Sequence, residues 1–229
     1  MLELMAPPVL PFDVIEHIID ILYNLDTEDL QYVKNFSLVC HSFLPLCRKH
    51  IFSRMISTYM GVPYQNDAFR QLLLESPDIA RYVRKLKIYI HIYIKPLNER
   101  FIFPVSQLTR LQSLTAHIVI GSNLEWGNFP SSIQHSLLNL MHLSTLTHLD
   151  LARIPGFPIS NLNGCTNIKH LFLRKVDTID DEATSLPLCR KSMKLQTLHI
   201  SLDTPRSIFQ DIFRKIQQLE DLSLRIDSM

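Results

Sequence analysis

Leu146-Thr147-His148-Leu149-Asp150-Leu151 is the stretch that decides the fold. An apolar residue, a gap of two, a leucine, a gap of one and a further apolar residue describe a short strand. Side chains alternate between the faces of a strand, so Leu149 and Leu151 point to one side and His148 and Asp150 to the other. The same spacing recurs in Val83-Arg84-Lys85-Leu86-Lys87-Ile88, in Leu111-Gln112-Ser113-Leu114-Thr115-Ala116 and in Ile168-Lys169-His170-Leu171-Phe172-Leu173. It returns in Leu195-Gln196-Thr197-Leu198-His199-Ile200 and Leu219-Glu220-Asp221-Leu222-Ser223-Leu224. The central leucines are 28, 35, 22, 27 and 24 residues apart. One copy would be an ordinary buried strand of any α/β fold, whereas recurrence at this period marks stacked repeats.

Parallel strands need a return segment on the other side of the sheet, often a helix. Ser131 with Gln134 has the spacing of a capping box ahead of Ile133, Leu137, Leu138 and Met141. Thr204-Pro205 opens a second amphipathic stretch with Ile208, Phe209, Ile212, Phe213 and Ile216. Pro187 limits any helix between Ile179 and Ser192. The whole pattern over residues 83–229 resembles a leucine-rich repeat. It departs from it in two respects, the first being that the Asn or Cys that closes the turn after the strand is replaced at Ile154, Val176, Asp203 and Asp227, which predicts an irregular curve. The sequence stops five residues after Leu224, so a truncated chain, or a partner covering the last strand, is expected there.

If the strands are parallel and in register, their outward positions line one face. Lys87, Tyr89, His148, Asp150, His170, Phe172, Arg174, His199 and Arg225 are the candidate target-binding residues. Aromatic and Arg side chains there suit protein recognition; the alternative for any one of them is an ordinary solvated position. His148 and His170 occupy equivalent places, but two histidines without a third ligand make a poor metal site, and no metal or cofactor is expected.

The N-terminal part has a different period. After Leu10-Pro11, Asp13 and Glu16 have capping-box spacing, and Ile15, Ile18, Ile19 and Leu22 follow a helical stripe. Asp26 or Thr27 can start a second helix carrying Leu30, Val33, Phe36, Leu38 and Val39. A third begins near Ser42, with Pro45 in its first turn, and carries Phe43, Leu46, Ile51, Phe52 and Met55. Three short helices have more apolar positions than their mutual packing uses. The surplus docks either on the rest of the chain or on another protein. Pro63, Asp67 and Ser76-Pro77 punctuate a helical linker over 58–82.

Residues 9–57 resemble an F-box, in particular that of the large family in mushroom-forming fungi. The likeness rests on Leu10-Pro11, the Ile-rich first helix, Ser37-Leu38-Val39-Cys40, and the aromatic-Leu-Pro step into a basic helix ending in Ile51-Phe52. "SPDIARYVRKLKI" (76–88) is similar to the segment that follows the F-box in that family. Phe43 stands where the family often has Trp, which implies a weaker aromatic anchor. The resemblance implies docking onto a Skp-type adaptor and through it a cullin, with Leu10, Pro11, Ile15, Ile18, Leu38, Val39, Cys40 and Phe43 as the adaptor-facing candidates. Some of these must also hold the helices together.

Composition narrows the remaining classes. Of 229 residues, 46% are hydrophobic and 20% charged, enough for a core. A net charge of +1 gives no nucleic-acid footprint. The first Lys or Arg is Lys34 and no apolar run reaches the ~18 residues of a membrane helix, so an intracellular address, cytoplasmic or nuclear, is expected. Cys40, Cys47, Cys165 and Cys189 form no CxxC pair and read as reduced thiols. The sequon Asn35-Phe36-Ser37 lies in a helical stretch and is discounted. No GxSxG, HExxH, phosphate loop or dinucleotide fingerprint is present. The expectation is an α/β, non-enzymatic substrate adaptor of an SCF-type ubiquitin ligase that captures an unidentified target protein. The alternative is a repeat scaffold whose helical module acts outside ubiquitination.

Overall fold

A computed structural model describes residues 10–25, 30–59, 68–92, 107–120, 125–176, 193–201 and 216–225. The chain divides into two compact units, 1–54 and 55–229. Three helices occupy the first: α1 (Phe12–Leu25), α2 (Gln31–Ser37) and α3 (Leu44–Ile51). Ile15, Ile19, Val33 and Cys47 form their buried centre, with Leu22, Tyr23, Phe36, Phe43, Leu46 and Ile51 packed around it. Pro45 lies in the first turn of α3, where an amide hydrogen would go unused. A 3-10 turn over His41–Phe43 leads into that helix.

The second unit is built on a sheet whose strands lie in sequence order. At its edge, β1 (Arg54–Tyr59) neighbours β2 (Lys85–Ile92). Then follow β3 (Ser113–Ile120), β4 (His148–Ala152), β5 (His170–Arg174), β6 (Met193–Ser201) and β7 (Ile216–Arg225). From β2 to β7 every pairing is parallel. Leu86, Leu114, Leu149, Leu171, Leu198 and Leu222 form one unbroken rung through all six strands. The fold is therefore α/β with a six-stranded parallel sheet. Of the other elements, α4 (Ala68–Glu75) precedes a 3-10 turn at Pro77–Tyr82, and α5 (Ser131–Met141) is the return between β3 and β4.

The repetition extends to the backbone. The carbonyls of Arg84, Gln112, Thr147 and Lys169 each accept two amides from the start of the following strand, at 2.7–3.0 Å. These four residues hold the same place in their respective copies. A turn precedes three of the copies, with amides of Val83, Leu111 and Leu146 donating to the carbonyls of Ala80, Leu108 and Leu143. Ala80 and Leu108 are buried, as is Cys165 at the matching place before Ile168. The repeat thus begins three residues earlier than the strand pattern alone indicated. In the return segments, Ile133, Leu137, Leu140 and Met141 of α5 are buried, and Trp126 meets Phe129 and Phe157 with ring centres 5.5 and 5.0 Å apart.

Several local expectations change. Met55 belongs to β1, because α3 closes at Ile51 and the chain extends two residues later. Leu30 precedes α2 in a left-handed conformation (φ 51°), and Leu38 and Val39 follow that helix. Asp13 lies inside the first turn of α1, where its charge meets the helix dipole, and does not cap it. Pro130, not Ser131, is the N-cap of α5, and Gln134 turns outward from the capping role to donate to the carbonyls of Trp126 and Phe129 (2.9 and 3.0 Å). Ile216 opens β7 rather than closing a helix. The remainder of that expected helix, and the 179–192 return, lie outside the described residues.

Candidate functional site

Two surfaces carry the candidate residues. The first is on the helical unit. With 100° between successive residues, Ile15, Ile19 and Leu22 lie on one stripe of α1 and face its core. Val14, Ile18, Ile21 and Leu25 lie on another, about a quarter of a turn away, and of these Val14, Ile21 and Leu25 are exposed, Leu25 by 67%. Leu10 and Pro11 ahead of this helix and Phe12 at its start are also exposed, as are Leu38 (84%), Val39 (70%) and Cys40 after α2. Surface leucines scattered singly are ordinary, but a helix apolar on two stripes with one of them bare is not.

This separates the two roles left open among the adaptor-facing candidates. Leu10, Pro11, Leu38, Val39 and Cys40 are exposed, and Ile18 is half-buried. Ile15 is only 8% exposed and belongs to the core, a correction to its place among docking residues. Phe43 is half-buried and stacks on Phe36 (centres 4.9 Å apart, 5° between planes), so its ring serves the fold. Phe12, Val14, Ile21 and Leu25, which are not among those candidates, are exposed as well; the signal for them in the sequence is the width of the apolar arc on α1, broader than one stripe.

Polar contacts tie α1 to α3 and to the residues just after it. Lys49 Nζ is 2.9 Å from Glu16 Oε1, and the Tyr23 hydroxyl is 3.2 Å from Ser53 Oγ. His50, nearly buried, brings Nε2 to 3.0 Å from Asp20 Oδ1 without hydrogen-bond alignment. Burial lowers its pKa below 6.5, and Asp20 opposes that shift. The Cys40 thiol pKa is lowered by hydrogen bonds from Ser42, whereas burial raises Cys47 and pushes Cys165 up to about 12.

The second surface is the polar face of the sheet. Register places Lys85, Ser113, His148, His170 and Thr197 on one row, and Lys87, Thr115, Asp150, Phe172 and His199 on the next. His148 and His170 stack with centres 4.1 Å apart. Their Nδ1 atoms are occupied by hydroxyls, Thr147 Oγ1 at 2.9 Å and Thr197 Oγ1 at 3.2 Å. Arg174 donates through two nitrogens to both oxygens of Asp150 (3.1 and 2.6 Å). Tyr89 meets His117 at 5.7 Å and lies 4.9 Å under Lys87 Nζ; Phe172 meets His199 at 5.7 Å. Burial lowers the pKa of His148, helped by His170, Lys85 and Lys169, and that of His117, helped by Arg153 and Arg174.

The structure thus brings Lys87, Tyr89, His148, Asp150, His170, Phe172, Arg174 and His199 to one face. Arg225 pairs in register with Ser201; its side chain lies outside the described residues. Ser201, of outward parity, is buried. Among the described residues no group of three His, Cys, Asp or Glu could hold a metal ion, and no helix is long and apolar enough to cross a membrane. Compared with protein-family models, curated proteins and solved structures, the chain gives no match.

Proposed function

We propose that the protein is a substrate-recognition adaptor of an SCF-type ubiquitin ligase. In this reading the three-helix unit is an F-box that docks a Skp-type adaptor, itself bound to a cullin, and the sheet is a leucine-rich-repeat-like surface that holds a target protein. The observation that carries it is the bare apolar stripe of α1 together with exposed Leu38 and Val39, on a unit whose likeness to an F-box runs through those same residues. Water is a poor neighbour for that much apolar surface, and an apolar partner surface covers it at ~25 cal/mol per Å² buried. Catalysis is by proximity: the adaptor raises the effective concentration of target lysines near the ubiquitin-loaded enzyme, and no residue of this chain performs chemistry.

The test is co-purification of the full chain with a Skp-type adaptor, beside a Leu10→Ala/Leu38→Glu/Val39→Glu variant. All three side chains are exposed, so the variant is expected to keep the circular dichroism of the wild type. Its affinity is expected to fall by about a hundredfold, as when central anchors of an interface are removed. A wild type that does not bind the adaptor would leave the repeat-scaffold alternative.

A further inference from the structure

We infer that the polar face of β2–β6 binds a short extended peptide rich in Asp and Glu, its carboxylates seated at Lys85 and Lys87 and an apolar side chain against Phe172. The inference rests on reading this face as the target-binding surface and names the chemistry of what it takes.

Charge is the first reason. Lys85 and Lys87 are exposed on neighbouring rows of one strand, and the ion pairs among the described residues are Lys49–Glu16, His50–Asp20 and Arg174–Asp150. Asp150, the one carboxylate at the described outward positions of β2–β6, is already held by both arms of Arg174. The face therefore offers two ammonium groups and no uncommitted acidic one. Beside burial, the larger cause at both, cationic surroundings are felt at its histidines: Lys85 and Lys169 act on His148, and Arg153, Arg174 and Lys87 on His117, with Asp150 opposing there. An acidic segment meets this field favourably and a basic one does not.

The form of the ligand follows from geometry. Rows perpendicular to the strands run from Lys85 to Thr197 across five strands. At ~4.8 Å between strands this spans ~19 Å, the length of about six extended residues. Beyond the lysines the rows pass Thr115, the stacked His148–His170 pair and Asp150, which Arg174 neutralises, to half-buried Phe172, so free charge at one end gives way to a closed ion pair and flat ring surface. Lysines act as point charges, whereas phosphate groups are best held by a free guanidinium fork. Arg174, the one arginine at the described outward strand positions, has its fork engaged by Asp150, and exposed Arg153, just past the end of β4, acts on His117 but not on His148, the histidine that Lys85 acts on. The face accordingly favours carboxylates over phosphorylated residues.

The experiment is fluorescence anisotropy of the full chain with three labelled octapeptides. The first carries four Asp or Glu residues and a Phe, the second replaces the acids by Asn and Gln, and the third replaces them by phosphoserine. The acidic peptide is expected to bind roughly tenfold or more tighter than the amide peptide, and to weaken as salt is raised from ~50 to ~300 mM. K85E/K87E is expected to remove the preference for acid, and F172A to weaken binding while keeping it. Equal binding of the acidic and amide peptides, an unchanged preference in K85E/K87E, or capture of the phosphopeptide alone would overturn the inference. Adaptor co-purification is measured on the same preparations. Adaptor binding without acidic-peptide binding would sink this inference and spare the ligase reading; peptide binding without adaptor binding would do the reverse.

Discussion

His50 sits nearly buried where α3 crosses α1, beside Tyr23 (ring centres 4.8 Å apart) and Asp20. Burial holds its pKa below 6.5, so the folded unit binds fewer protons than the unfolded chain in the window beneath 6.5. Its contribution to stability is complete above that pH and is lost as the pH falls through the folded value. Amide exchange of α1 and α3, corrected for intrinsic rates, is expected to show weaker protection at pH 5.5 than at 7.5, and His50→Gln to flatten the difference. A wild type equally protected at both would remove His50 from this role. Arg153 and Lys175 present another residue-scale cost. Each follows the last residue of a strand, β4 or β5, with φ of 57° and 52°. An L side chain there is strained by about 1 kcal/mol, which glycine avoids. Arg153→Gly is expected to leave stability unchanged or raise it by up to ~1 kcal/mol in urea unfolding, and a clear loss would show that the Arg153 side chain itself stabilises the turn.

At the scale of elements, two features of α1 are separable by mutation. Ile19→Ala opens the core of the helical unit, while Ile21→Ala trims an exposed side chain. The first is expected to cost ~2–4 kcal/mol of stability and the second under ~0.5. Adaptor capture by the still-folded Ile21→Ala chain is expected to weaken instead. If both variants behaved alike in stability, the two-stripe description of α1 would fail. In the sheet, Leu149 is fully buried at the centre of the leucine rung. Leu149→Ala is expected to destabilise by ~3 kcal/mol, with neighbouring leucines closing only partly on the void. The six repeated strands were easy to find because alternation is local and recurs, whereas β1, which carries no copy of the pattern, was read as the end of a helix. Helix ends were harder: Pro130 displaces Ser131 from the N-cap of α5, since Gln134 is drawn to the carbonyls of Trp126 and Phe129. Those carbonyls come from a turn shaped by the aromatic cluster, which no local pattern announces.

At the scale of the whole molecule, the two units are expected to respond differently to the adaptor. Ligand binding to the native form alone adds stability by mass action, ~2.7 kcal/mol at a hundredfold excess over Kd. Protection of α1–α3 amides is therefore expected to rise on adding a Skp-type adaptor, with β3–β5 little changed. A rise confined to the sheet would contradict docking through the helices. The sequence by itself marked the six parallel strands and which of their side chains share a face, because a two-residue alternation leaves one face of each strand apolar and six such faces are buried together in line; register entered only as a condition, and β1 was not among the strands it marked. It also placed eight of the nine proposed target-binding side chains on that other face. What only the tertiary structure decided was which apolar residues of the helical unit are used up inside it. Helical spacing presents Ile15 and Ile18 as equals, yet packing against Val33 and Cys47 buries Ile15 and leaves the Val14–Leu25 stripe bare. It likewise decided that Arg174 and Asp150 neutralise each other, because their side chains meet across strands 24 residues apart in the chain. Both follow from contacts distant in sequence, and local periodicity carries no information about those.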